Sequence, residues 1–260
     1  MPSTVQPARS AARKRTGVLV IGLILASGAA TPAARAQDAG PPPKFARLIA
    51  HRETETEAER NEYTYRQTVT IQELDEHGMI RGEYHEMRDV IFSPQHERSE
   101  EVVGKVRNTL QRLLLTPEDF NDIRDIQPLV LTKDKLWNYE TRTRGDEVVD
   151  GIDCWVLQVR PRQILTGMRL FDGLVWADKK EYNIVRMAGR AVPEIRTMKS
   201  ENLFPRFITV RKPIDAKHWF PVLTYADDVL QFRSGPQRER LKIEYSNYKR
   251  FSAESTFTPK

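Results

Sequence analysis

The stretch Leu241-Lys242-Ile243-Glu244-Tyr245 decides the fold class, because apolar and charged side chains alternate in it without exception. Successive side chains of a β-strand point to opposite faces, so a period of two predicts a strand with one buried face and one face in water. Trp155, Leu157 and Val159 repeat this one-sided alternation near the middle of the chain. The C-terminal half is therefore predicted to be antiparallel sheet.

Turn signals separate the strand-like runs that follow Leu129. They are Asp150-Gly151, Asp172-Gly173, Asp178-Lys179-Lys180, Pro213-Ile214-Asp215 and Ser234-Gly235-Pro236. Trp219, Leu223 and Tyr225 form another alternating face, and Pro221 between them indicates an edge or an irregular pairing. Short strands joined by tight turns predict an antiparallel meander rather than a parallel sheet with helical crossovers.

A predicted hairpin opens the N-terminal half. Four apolar side chains share one face of the predicted strand Tyr63–Leu74, and they are Tyr63, Tyr65, Val69 and Ile71. The turn signal of residues 75–78 ends in glycine, and Met79–Phe92 is the predicted return strand. A third strand is predicted over residues 97–103.

Helices are predicted on both sides of that hairpin. Phe45–Arg60 has the spacing of an amphipathic helix, with its charged run from Glu53 onward on the solvated face. A second helix is predicted from the i, i+4, i+7, i+8 spacing of Val106, Leu110, Leu113 and Leu114. Thr116 followed by Pro117 and two acids is typical of a helix start, and this third helix would reach about Ile126. The order of elements predicts an α+β fold.

The excess positive charge is confined to the N-terminus. The chain has 41 Lys and Arg against 36 Asp and Glu, a formal charge of +5. Residues 1–36 contain five basic residues and no acid, which leaves 36 basic and 36 acidic side chains in the rest. Because those charges are interleaved, no phosphate-tracking stripe is present, and nucleic acid is not an expected partner.

The same N-terminal residues have the pattern of a secretory signal peptide over residues 1–36. Basic Arg13-Lys14-Arg15 precedes the apolar run Val18–Ala30, and Ala34-Arg35-Ala36 predicts cleavage before Gln37. The alternative is an uncleaved N-terminal anchor. Residues 37–44, which contain three consecutive prolines, are predicted to be an extended leader. No second long apolar run follows, so no transmembrane segment is expected after cleavage.

Motifs that would indicate an enzyme, a metal or a cofactor are missing from the sequence. The single cysteine, Cys154, cannot form an intrachain disulfide and is predicted to be a small buried hydrophobe. The sequence has no nucleophile elbow, phosphate loop or zinc-protease motif. His77 and His85 lie on opposite arms of the first hairpin, but two ligands without a third are weak evidence for a metal. We therefore expect no catalytic site, no metal and no cofactor.

Two hairpins of the C-terminal half resemble the outer-membrane lipoprotein-sorting family (LolA/LolB-like). RLFDGLVWAD at residues 169–178, followed by YNIVRMAGR at 182–190, is similar to the family's F-x-G-x-[IV]-W-[VA]-D strand and its I-V-R-x-x-G return strand. Residues 210–221, with His218-Trp219-Phe220-Pro221, resemble the next hairpin, and residues 245–251 resemble the last strand. The resemblance extends from Leu129 to Phe251.

The resemblance implies one domain over residues 45–260: an unclosed antiparallel β-barrel of about ten strands wrapped around helices. In the family, the enclosed apolar cavity holds lipid or lipoprotein acyl chains. The implied function is a periplasmic, non-enzymatic carrier or binder of such chains. The alternative is an envelope sensor or scaffold that uses the same fold to bind a protein or lipid signal. The family's lid-closing arginine has no counterpart that we can place here.

Candidate cavity residues follow from that architecture. The expected wall residues are Leu110, Leu114, Trp155, Leu157, Trp176, Trp219, Leu223 and Ile243. Residues 191–205 are long for a hairpin connection and predict a lid, with Met198, Leu203 and Phe204 as its apolar contacts. The alternatives are ordinary core packing for the wall residues and a loop packed on the barrel rim for the lid.

Overall fold

One long antiparallel sheet and a short helix at its start make up most of the described chain. The computed structural model describes residues 40–93, 95, 97–126, 131–198 and 201–250. The predicted signal peptide and the first three residues of the leader lie outside the described residues. No helix among the described residues is long and apolar enough to cross a membrane.

The helices are α1 (Phe45–Arg60) and α2 (Pro117–Asn121), and α2 continues as a π-helical turn over Asp122–Ile126. A 3-10 turn covers Leu136–Asn138. The strands are β1 (Tyr63–Leu74), β2 (Ile80–Phe92), β3 (Arg98–Val102), β4 (Arg107–Asn108), β5 (Tyr139–Val149), β6 (Ile152–Pro161), β7 (Leu170–Asp178), β8 (Ile184–Val192), β9 (Ile195–Arg196), β10 (Glu201–Asn202), β11 (Phe207–Pro213), β12 (Trp219–Phe232) and β13 (Gly235–Arg250).

Eleven strands form one sheet in the order β3-β2-β1-β13-β12-β11-β8-β7-β6-β5, with β4 also paired to β2. Every pairing is antiparallel, and β9 and β10 form a separate two-stranded ribbon. The two edges of the sheet, β3 and β5, do not pair with one another among the described residues, so the sheet is not closed. The predicted α+β class with an open antiparallel barrel is confirmed.

The sheet curves around α1. Phe45 and Ile49 of α1 belong to one buried cluster with residues from both halves of the sheet, from Val90 of β2 to Tyr139 of β5. The core that includes α1 therefore extends across nearly the whole sheet, as expected for an open barrel that encloses a helix. We call the sheet face that contacts α1 the inner face and the opposite one the outer face.

The charged end of α1 is not the solvated face that the sequence predicted. Glu53, Thr56 and Arg60 are all buried. Glu53 forms a bidentate ion pair with Arg211 of β11, at 2.7 Å and 2.6 Å, and each side chain is 1% exposed. Periodicity could not show this, because the partner is a single basic residue 158 positions away.

The helix predicted from Val106, Leu110, Leu113 and Leu114 is wrong. The described chain there is β4 followed by an extended loop, and Val106 and Leu114 are 46% and 82% exposed. Gly104 enters this segment with a φ of +81°, outside the helical region. The backbone N–H groups of residues 111–113 bond to the carboxylate of Glu73 instead of to a preceding turn of helix.

The predicted turn at Asp172-Gly173 is also wrong, because both residues lie inside β7. Gly173 faces Gly189 of β8 in register. A Cβ atom on Gly173 would lie 2.3 Å from the Ala188 carbonyl oxygen and 2.5 Å from the Phe171 ring. These glycines serve close packing of the Phe171 ring rather than a turn.

Other local predictions are confirmed. The hairpin turn between β1 and β2 has Gly78 at a φ of +78°. Thr116 is the N-cap of α2, and its N–H and hydroxyl donate to Asp119 at 2.6 Å and 2.8 Å. Pro221 lies opposite a register shift between Val210 and Arg211, which is the predicted irregular pairing.

Candidate functional site

A pocket of about 330 Å³ lies at the end of the sheet where β12 turns into β13. It is framed by residues 112–116, by a strap made of residues 195–198 and 201–204, and by residues 232–234. Ile71 of β1 and Glu239 of β13 line it from the sheet. We call it the mouth pocket.

Apolar side chains connect the mouth pocket to the main core. Leu113, Leu203 and Phe204 line it and are only 9%, 5% and 8% exposed, and Leu113 and Phe204 belong to the core cluster. Leu114 and Met198 line it as well, but they are 82% and 99% exposed. Solvated apolar residues therefore adjoin a buried apolar wall, as they do at many ligand-binding sites.

Glu73 holds the first wall of the pocket in place. Its side chain is 2% exposed, and both of its oxygens accept the Gln111 N–H, at 3.0 Å and 2.9 Å. The backbone N–H groups of Arg112 and Leu113 also donate to it. Three amides compensate the buried charge and fix an extended loop that turns Leu113 inward and Leu114 outward.

The strap is tied down from two sides. Arg233, just after β12, donates from Nη1 to the Thr197 carbonyl oxygen at 2.6 Å. On the other side, Asn202 donates from Nδ2 to Asp119 of α2 at 2.6 Å. The strap is thus a bridge between the β12–β13 hairpin and α2.

A buried ion pair supports the α2 side of this bridge. Arg169 donates from Nε to both carboxylate oxygens of Asp122 at 3.0 Å, and from Nη2 to Asn202 Oδ1 at 2.6 Å. Asp122 is 1% exposed, and burial raises its pKa to about 6 although Arg169 acts in the opposite direction. Burial also raises the pKa of Asp119. Burial thus disfavours the charged form of both Asp119 and Asp122.

Glu239 contributes an unpartnered carboxyl to the pocket. It is 7% exposed, it pairs in register with Glu73 across β1 and β13, and its side chain has no hydrogen bond or ion pair within the described residues. Burial raises the pKa of Glu239 to about 8, with further contributions from the nearby charges of Asp119 and Asp228. At neutral pH the carboxyl is therefore mostly protonated.

The predicted wall residues do not share one surface. Trp155, Leu157 and Ile243 are buried on the inner face, in the core that packs on α1. Trp176 and Trp219 belong to a second, smaller cluster with Cys154 and Val156, whose side chains alternate with those of the inner face. Leu223 also lies on the outer face, because its register partner is the exposed Glu244.

The mouth pocket contains Leu114 and all three predicted lid residues: Met198, Leu203 and Phe204. Leu110 is partly buried beside the core and does not line it. Of the three lid residues only Met198 is exposed, whereas Leu203 and Phe204 are buried, as the alternative of a loop packed on the barrel rim requires. The three lid residues and Leu114 thus line the same pocket, and the other predicted wall residues do not line it.

Sequence reasoning missed Glu73 and Glu239, although a signal for both was present. Each occupies the inward parity of its strand, since Glu73 follows Val69 and Ile71, and Glu239 precedes Leu241. An acid at an apolar position of an alternating strand indicates either a buried partner or a ligand.

No group of three or more His, Cys, Asp or Glu side chains among the described residues could hold a metal ion. His85 instead bonds through Nδ1 to the Thr70 hydroxyl at 3.1 Å. Cys154 is buried, as the sequence predicted, and burial raises the pKa of its thiol to about 11.

Comparison with known proteins gives similarity of structure without similarity of sequence. No protein-family model and no curated protein matches the sequence. A DUF1329 family protein from Desulfovibrio piger aligns at 16% identity and a TM-score of 0.41, covering 84% of this chain and 96% of that one. A LolA superfamily protein from Nitrosomonas europaea aligns at 13% identity and a TM-score of 0.37, covering 82% and 97%.

An outer membrane lipoprotein-sorting protein domain from Vibrio parahaemolyticus aligns at 12% identity and a TM-score of 0.35, covering 78% and 94%. With identities and TM-scores this low, what the protein binds must be inferred from its own side chains.

Proposed function

We propose that the protein is an exported, non-enzymatic binder or carrier of lipid or lipoprotein acyl chains in the periplasm, and that the mouth pocket receives part of one chain. The observation that carries this proposal is the pairing of solvated Leu114 and Met198 with the buried wall formed by Leu113, Leu203 and Phe204. The predicted signal peptide supports the location.

The pocket's size limits what it holds. Its volume of about 330 Å³ is at the lower end of the ~300–1,000 Å³ range of small-molecule sites. Each methylene group that leaves water contributes about 0.8 kcal/mol, so part of one chain supplies useful affinity without a long tunnel. Trp155, Leu157 and Ile243 are buried in the core cluster and do not line this pocket.

The test is a titration with a fluorescent 16-carbon alkyl probe whose head group is uncharged, together with native mass spectrometry of the protein isolated from a cell envelope. Leu114→Asp and Met198→Asp place charges at the pocket rim without disturbing the core, because both side chains are exposed. We expect each variant to weaken probe binding several-fold. Val148→Asp is the matched control, since Val148 is 62% exposed and does not line the pocket.

Two results would contradict the proposal: an isolated protein that carries no lipid and binds no probe, or rim variants that bind the probe as the Val148 control does. The rim variants also correct for probe bound to the apolar N-terminal residues, because those residues are unchanged in every variant.

A second candidate function, binding of a protein in the envelope, is supported by the free edge of β5. This strand runs for 11 residues and pairs on one side only, with β6, among the described residues. A free edge strand offers unpaired N–H and C=O groups to an extended peptide. A protein retained with the isolated chain in place of lipid, and lost with Thr143→Pro on β5, would favour this function.

A further inference from the structure

Glu239 lacks the partner that a buried carboxyl requires. In folded proteins, most buried polar groups have hydrogen-bond partners, and an unsatisfied one costs free energy. Within the described residues the Glu239 side chain has none, yet it is only 7% exposed and lines the mouth pocket. The carboxyl oxygens are not among the fully enclosed unpartnered atoms of the described residues, so they open into the pocket, where a ligand group can reach them.

The neighbouring polar groups are already engaged. Glu73, across the strand pair, accepts three backbone amides, and Asp119 accepts from Thr116 and Asn202. The two arginines of the pocket also point elsewhere. Arg112 donates to the Pro236 carbonyl oxygen at 3.4 Å, and Arg233 donates to that of Thr197 at 2.6 Å.

The local field favours a positive ligand group. Asp119 and Glu201 line the pocket beside Glu239, and burial together with the negative charges of Asp119 and Asp228 raises the pKa of Glu239, so the acids around this carboxyl set a negative sign. The groups that would reverse this sign are the guanidinium groups of Arg112 and Arg233, and the first contacts of both are main-chain carbonyls. A hydrogen-bond donor that carries positive charge fits this position best.

We propose that the mouth pocket selects amphiphiles that carry a primary ammonium group beside the alkyl chain, with the chain against Leu113, Leu203 and Phe204 and the ammonium group on the Glu239 carboxylate. This inference rests on the proposed acyl-chain function and specifies the polar part of the ligand. Binding forms an ion pair from a carboxylic acid and an ammonium ion, and the carboxyl proton passes to the buffer. Uptake at neutral pH therefore releases up to one proton for each ligand bound.

The test compares three ten-carbon probes, decylamine, 1-decanol and decanoate, by calorimetry at pH 7 on the full-length protein. We expect decylamine to bind about tenfold or more tightly than 1-decanol, since a charge-assisted hydrogen bond replaces a neutral one, and decanoate to bind most weakly. Glu239→Gln keeps the shape of the side chain and should equalise decylamine and 1-decanol. Glu244→Gln, on the outer face of the same strand, is the matched control and should keep the preference.

Proton release in the wild-type protein gives a second readout that needs no variant. Calorimetry in two buffers of different ionisation enthalpy should show a proton released with decylamine and none with 1-decanol. Equal affinity for the amine and the alcohol, or no proton release with the amine, overturns the inference and leaves acyl-chain binding intact. If none of the three probes binds, the proposed function itself fails.

Discussion

Arg211 of β11 donates a hydrogen bond from each of its two terminal guanidinium nitrogens to the Glu53 carboxylate of α1. The two side chains are each only 1% exposed. A bidentate pair of this kind has only one good geometry. It therefore fixes the rotation and height of α1 within the curved sheet.

Breaking this pair from one side should be costly. We expect Glu53→Ala to lower the free energy of unfolding by about 3–5 kcal/mol, because Arg211 would keep an uncompensated buried charge. The double variant Glu53→Leu/Arg211→Met should lie much closer to wild type, since it removes both charges. Urea unfolding measures both changes.

An exposed pair provides the control. Glu62 and Arg250 join at 2.6 Å, but their side chains are 43% and 63% exposed. Glu62→Ala should therefore cost no more than about 1 kcal/mol. If Glu53→Ala costs no more than that, the buried pair does not anchor α1.

The facing glycines of β7 and β8 should tolerate no side chain. A Cβ on Gly189 would lie 2.4 Å from the Asp172 carbonyl oxygen and 2.6 Å from the Phe171 ring. We expect Gly189→Ala to destabilise the protein by about 1–3 kcal/mol or more through overpacking. Gly40→Ala meets no atom within 4 Å and should leave the thermal midpoint unchanged. Equal midpoints for the two variants would disprove the tight packing.

The ligand-free protein should lose stability as the pH rises from about 5 to 9. The pKa of Glu239 is about 8 in the folded chain, against about 4.3 for an unperturbed glutamate. The folded state thus holds a proton that the unfolded state has released, so stability falls with pH across this interval, by at most about 1.4 kcal/mol per pH unit for one group.

Chemical unfolding at a series of pH values isolates this contribution, because the difference between wild type and Glu239→Gln removes the effect of other groups such as Asp122. We expect the variant to be more stable than wild type at pH 9, with a shallower pH dependence. Parallel curves for the two proteins would show that Glu239 titrates normally.

Cys154 should be unreactive in the folded protein. The thiol is buried, and burial raises its pKa to about 11, so little thiolate forms at pH 8. A disulfide reagent should label it at the rate of unfolding. In Met198→Cys, which places a thiol at a position 99% exposed, labelling of the new residue should be immediate. Fast labelling of Cys154 in the native chain would contradict its burial.

Local periodicity was enough to predict the first hairpin, because β1 has a mostly apolar buried face. It also located α1 through Phe45 and Ile49, although the buried face of that helix continues through Glu53 and Arg60. It failed around Leu110, where leucines at helical spacing lie in a loop held by Glu73, about 40 positions earlier. The spacing of apolar residues within a short segment contains no information about a hydrogen-bond partner this far away in sequence.

Assignment of sheet faces was limited for a related reason. Strand β6 is buried on both faces over residues 154–157, so alternation alone does not reveal whether Trp155 or Val156 points towards α1. For the same reason the sequence predicted Trp176 and Trp155 in one cavity wall, although the two side chains belong to different clusters. The two inward acids, in contrast, could have been found from strand parity, because they occupy positions where the pattern calls for apolar residues.

The pairing of β1 with β13 has a consequence for how the chain folds. Tyr63 of β1 faces Arg250, near the end of the described chain, so the centre of the sheet is closed by its most distant contact in sequence. Contacts of such high sequence separation form slowly, because a long loop must be ordered first. Until residues 235–250 arrive, the N-terminal hairpin keeps an unpaired edge and cannot complete its core. Late closure of this kind would suit the export that we propose, in which the chain stays unfolded until it has crossed a membrane.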